Sequence, residues 1–163
     1  MKSTAFMAIA AAALAPLCLA DPPQATAKIA EFAASSRGGK ADYQEVSHGR
    51  KLDIDTLALP GKVTVVDFSS DYCAPCEQVA MFLIRSSKSF PGRYAIRRVD
   101  INRPGFVGID WQSPVARQFD LKGIPFLVIY DNGVKVAEGD AARKWIVDDV
   151  DRTSEKANAA AEK

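Results

Sequence analysis

Soft metal ligands are scarce in this chain. Cysteine occurs three times in 163 residues, at positions 18, 73 and 76, and histidine once, as His48. A Cys-x-x-Cys pair is half of a structural zinc site, but the other half needs two more soft ligands. Beyond the first twenty residues only His48 could add one, so no metal is expected. An excess of either charge is lacking too: 21 basic residues stand against 20 acidic ones. That balance excludes the electrostatic footprint of a nucleic-acid binder or of a protein held on anionic membranes. Internal repeats are absent. The apolar, Ala-rich run near the start is too short for a comfortable membrane span.

That run has another reading. Lys2, the apolar stretch and Cys18-Leu19-Ala20 form a secretory leader over 1–20, with cleavage expected after Ala20. Pro16-Leu17 are not the small residues that precede a lipid-attachment cysteine, so a periplasmic or secreted product is expected in preference to a lipid-anchored one. The remainder is the size of one ordinary domain. Export to an oxidising compartment usually brings structural disulfides. Here only Cys73 and Cys76 remain, and the loop between them is too short to staple a fold, which favours a working disulfide.

The stretch 63–76 organises the rest. Val63-Thr64-Val65-Val66 is a β-branched run that reads as a buried strand, followed by a turn and two cysteines opening a helix. Pro75 suits a first helical turn, where a missing N–H costs little, and the helix is expected over about 76–88. A helix start offers unpaired N–H groups and partial positive charge, which favour thiolate over thiol. Cys73 is therefore the expected nucleophile. Cys76, one turn on, is its resolving partner, within reach to close a disulfide. Asp67 lies in so apolar a strand that burial is expected, and burial raises a carboxyl pKa toward neutrality.

Around this centre the chain reads as follows. Residues 21–40 are a flexible N-terminal segment with a short helix over 27–34 and a Ser/Gly linker at 35–39. The domain spans 41–152, and 153–163 is a tail or frayed helix end. Strands are expected at 43–47, 94–101, 126–130 and 134–138, the second of these alternating in part with Arg97, Arg98 and Asp100. Ser113-Pro114 starts a helix ending near 121–123. Asp131-Asn132-Gly133 is a hairpin turn, and Asp140 caps a last helix. His48, in the polar turn 48–51, receives no role.

In this order, Val66-Asp67-Phe68, Cys73-Ala74-Pro75-Cys76, Gly123-Ile124-Pro125 and the Asn132-Gly133 hairpin with Gly139 beyond it resemble the thioredoxin family over roughly 43–150. The resemblance implies an α/β fold with a central mixed sheet of four to five strands flanked by helices. It implies that Asp67 moves the proton of Cys76 and that Pro125 is cis beside the disulfide. Ile124 would then contact substrate backbone, with Tyr72, Ala74 and Pro75 around it. Ser69 and Tyr72 stand where the family often has tryptophan. The irregular stretch 102–112 is longer than in compact members; Phe106 and Trp111 could form a partner-facing rim or fold onto the core.

The implied activity is thiol–disulfide exchange through a mixed disulfide, with no cofactor beyond the Cys73–Cys76 pair. Ala74-Pro75 resembles the reducing branch more than the oxidising one, which commonly has histidine before the second cysteine. A monomeric reductase of disulfide-bearing exported proteins, fed by a membrane electron donor, is the expectation. Alternatives are an oxidant or isomerase, and a binding or chaperone-like module with little redox turnover.

Overall fold

The computed structural model describes residues 24–35 and 40–163. The expected leader with Cys18, and residues 36–39 of the expected linker, lie outside them. Strand β2, Val63–Ser69, is buried along its whole length. Such a strand needs neighbours on both edges and layers on both faces. It pairs in parallel with β3, Tyr94–Asp100, which pairs in parallel with the edge strand β1, Asp42–Val46. On its other side β4, Phe126–Asp131, runs antiparallel to it, and β5, Val134–Glu138, antiparallel to β4. The order β1-β3-β2-β4-β5 gives the expected mixed sheet, here with five strands.

Side chains alternate across this sheet. On one face Val63, Val65, Ile96 and Ile129 pack against Leu83 of α2, Ala74–Ser89, and Ile146 of α4, Gly139–Ala161. On the other, Val66, Phe68, Val99 and Val128 pack against Val115 of α3, Pro114–Gln118, and Ile54 of a short 3-10 turn. The β4–β5 turn holds Asn132 and Gly133 at φ 51° and 82°. This is the left-handed pair that matches the twist of a two-residue hairpin.

The larger departures from the expected boundaries fall in three helices. The short helix expected over 27–34 starts three residues earlier, as α1, Gln24–Ala34, whose Ile29 and Ala33 bury against Ala80 and Ile84 of α2. Buried Lys88 fixes its end: Nζ donates to the Ser35 carbonyl and hydroxyl, 2.8 Å each, and lies 4.6 Å from the Phe32 ring centroid. A cation at a helix C-terminus meets both the free carbonyls and the dipole. Helix α3 stops at Gln118, short of 121–123, because Asp120 takes φ 47° and turns the chain. Helix α4 begins at Gly139, with Glu138 and not Asp140 at the N-cap position and no side-chain cap. It continues through the expected tail to Ala161, on Ala-rich sequence of high helix propensity.

Candidate active site

β2 ends at Ser69, and a short turn delivers Cys73 to the N-cap of α2. Extended backbone at Cys73 (φ −115°, ψ 96°) lets its Sγ accept the Cys76 N–H at 3.2 Å. The sulfur thus does what a Ser or Asp oxygen does at other helix starts. Pro75 falls within the first turn, where its missing N–H costs nothing. Cys73 and Cys76 are joined as a disulfide with Cα atoms 5.2 Å apart. Cys73 retains 7% exposure against 2% for Cys76, while Tyr72, Ala74 and Pro75 around them are exposed. An incoming sulfur therefore meets Cys73 first.

The loop before β4 closes over this pair. The Ile124–Pro125 peptide bond is cis, and the Ile124 carbonyl oxygen lies 3.8 Å from Cys73 Sγ. Arg143 of α4 donates to the Pro125 carbonyl, tying the loop to the helix layer. Ile124 and Pro125 thus stand beside the disulfide, in contact with Cys73.

Asp67 is fully buried in β2, on the face covered by α2 and α4, and neither carboxylate oxygen has a hydrogen-bond partner among the described residues. Burial pushes its pKa up to about 7, against the opposing charges of Arg98 and Arg143. A carboxyl so placed exchanges protons near neutrality, which is what a group serving a thiol requires.

Arg98 is the residue sequence reasoning missed. The sequence alternates only in part along β3, yet all seven residues of the strand are buried. Arg98 Nε donates to Ser69 Oγ at 2.8 Å, Nη2 to Asp71 Oδ1 at 2.7 Å, and Nη1 to Glu45. Burial pulls its pKa down, but Glu45, Tyr43 and Asp71 outweigh that and hold it above its ordinary value. One guanidinium thereby joins β1, β2 and the turn leading to Cys73. The only sequence signal was two adjacent arginines inside an apolar strand.

Loop 102–112 leaves the carboxyl end of β3, level with the end of β2, where Ser69 pairs with Asp100. It is a built structure. Asn102 Nδ2 donates to the Gly108 carbonyl at 2.6 Å, and Arg103 clasps buried Asp110 at 2.6 and 3.0 Å. That Arg103 partnership holds the Asp110 carboxyl below its ordinary range. Phe106 and Trp111 remain about 40% exposed, at 40% and 38%. They stand outside the core clusters, with the Arg103 guanidinium 5.7 Å from the Phe106 ring.

Comparison with known proteins agrees with this arrangement. The family model described as Thioredoxin matches residues 54–152. A thioredoxin H-type of Oryza sativa subsp. indica is 27% identical over 93 residues, 57% of this chain and 66% of that protein. Thioredoxin 1 of Chlorobaculum tepidum is 31% identical over 81 residues, 49% of this chain and 72% of that protein. Thioredoxin 1 of Plasmodium falciparum is 24% identical over 102 residues, 60% of this chain and 89% of that protein. The match thus leaves about a third of the rice protein unpaired.

Proposed function

Since this chain belongs to the thioredoxin family of thiol–disulfide oxidoreductases, we propose that it reduces disulfides of exported proteins in the periplasm or outside the cell. The Cys73 thiolate attacks one sulfur of a substrate disulfide. That S–S bond breaks, a mixed disulfide forms, and the other substrate sulfur leaves as a thiolate that takes up a proton. Cys76 then gives its proton to Asp67 and attacks Cys73 Sγ. The mixed disulfide breaks, the Cys73–Cys76 bond forms, and the substrate departs as a dithiol. Two electrons have passed to the substrate, and a thiol donor at the membrane restores them.

Each role has physical support. The Cys76 N–H and the α2 dipole stabilise charge on Cys73. Asp67 is buried on the α2 side with a pKa near that of a proton shuttle. Ile124 and Pro125, with exposed Tyr72, Ala74 and Pro75, offer an extended segment a surface beside the sulfur, and Trp111, exposed on the loop that leaves the same end of the sheet, is assigned to its rim. The observation that carries the reading is the disulfide at a helix start with an unpaired carboxyl buried beneath that helix layer.

Insulin disulfide reduction, followed by turbidity with dithiothreitol, tests it. Wild type should accelerate precipitation and Cys73→Ser should not; equal rates would favour a binding module with an idle dithiol. Equilibration with glutathione reports direction. A potential near about −270 mV fits a reductase, and one near about −120 mV would assign an oxidant.

A further inference from the structure

We propose that Glu45, His48 and Asp100 form a site for one divalent transition-metal cation, at the same sheet edge as the disulfide but separate from it. His48 Nδ1 lies 3.4 Å from Asp100 Oδ2 and 3.7 Å from Glu45 Oε1, and all three donor atoms fall within 4.8 Å of one another. Two donors bound at roughly 2.0–2.2 Å to one ion stand about 3–3.5 Å apart, so the two His48 separations need little adjustment, while the two carboxylate oxygens, within 4.8 Å, would draw together on the ion. One imidazole and two carboxylates suit zinc, cobalt or nickel better than calcium, which prefers more oxygens.

The supporting contacts make this more than a chance meeting of side chains. Each carboxylate spends one oxygen on the fold and turns the other toward His48. Glu45 Oε2 is held by Arg98, and Asp100 Oδ1 accepts the Asn102 N–H at 3.0 Å. Such outer contacts orient metal ligands. With a neutral imidazole, two carboxylates and one guanidinium leave a net negative site.

The backbone brings the imidazole in. Ser47 and His48 both adopt positive φ, 81° and 48°, a conformation disfavoured for side-chain-bearing residues. The loop is pinned there: Gly49 N donates to the Asp100 carbonyl at 2.9 Å, and Val115 N donates to the Gly49 carbonyl at 3.1 Å. A side chain at position 49 would collide with the Arg103 backbone, its Cβ only 2.7 Å from Arg103 N. The His48 side chain is 47% exposed, leaving room for water in the remaining coordination positions.

The test uses the full chain in its oxidised form, so that Cys73 and Cys76 cannot bind metal. Calorimetric titration with zinc chloride should show binding that weakens at least tenfold in His48→Gly, a substitution the positive φ accommodates. Asp100→Asn should weaken it similarly, and the cobalt-loaded protein should lose visible absorption in both variants. Melting temperature of His48→Gly within about 2 °C of wild type confirms that its fold survives. Equal zinc affinity in wild type and folded His48→Gly, or no zinc binding by wild type, overturns the proposal.

Discussion

Asp67 and Arg98 sit opposite each other in the β2–β3 ladder, both fully buried, and the fold treats them differently. Arg98 has a partner for each guanidinium nitrogen, drawn from Ser69, Asp71 and Glu45. Asp67 has none for either oxygen among the described residues. A buried charge with all its hydrogen bonds made is a fixed part of the framework. A buried carboxyl with none is destabilising when ionised, and it persists where its readiness to take a proton is of use. The contrast teaches that burial alone does not assign a role; satisfaction does.

The largest way to break this contrast is Arg98→Met. It strands Glu45 and Asp71 without their shared cation and unties the turn before Cys73. Breaking such a buried network costs about 3–5 kcal/mol. Denaturant unfolding should report that loss, and a loss under about 1 kcal/mol would show that the carboxylates do not depend on Arg98.

Asp67→Asn should act in the opposite direction on stability. The folded pKa of about 7 lies above the ordinary 3.8. Between those values the folded state binds more protons than the unfolded one, so wild-type stability falls as pH rises from 4 to 7 and levels off above. The variant should lose that slope and be more stable at pH 8 by about 1–3 kcal/mol, once the unpaired amide's own burial cost is subtracted. Disulfide reduction should slow on the order of a hundredfold, the low end for a positioned acid–base group. A pH slope unchanged in the variant would mean that Asp67 is not the group responsible.

The smallest effect sharpens the comparison from outside. Lys144 and Asp148, one turn apart on α4, are 2.6 Å apart but exposed. Lys144→Ala should change stability by less than about 0.5 kcal/mol by the same unfolding measurement. A larger loss would mean that distance, not burial, governs these pairs.

How much of this was legible depends on how far each determinant reaches along the chain. β2 was readable from its β-branched run, the β4–β5 hairpin from Asn132-Gly133 and the start of α3 from Ser113-Pro114, because each is decided by a few adjacent residues. The pairing of Cys73 with Cys76 was readable for the same reason. The environment of Arg98 was not: Glu45 and Asp71 lie 53 and 27 residues away and arrive only through sheet order. The docking of α1 hinges on Lys88, an exposed residue on any local reading, made a helix cap by a partner 53 residues back. Likewise His48 looked like a solvated turn residue until the pairing of β1 with β3 brought Asp100, 52 residues away, beside it and its near neighbour Glu45.

The path of α4 has a practical consequence. It starts where Arg143 reaches the Pro125 carbonyl, and by Asp149 it has reached Arg93 and Tyr94 at the opposite end of β3. Its 23 residues cover roughly 34 Å at 1.5 Å per residue. A dye, resin or fusion partner joined after Ala161 would therefore sit on the far end of the molecule. Immobilised through that end, the protein would keep its sulfurs facing the bulk solution, ready for use as a solid-phase reagent.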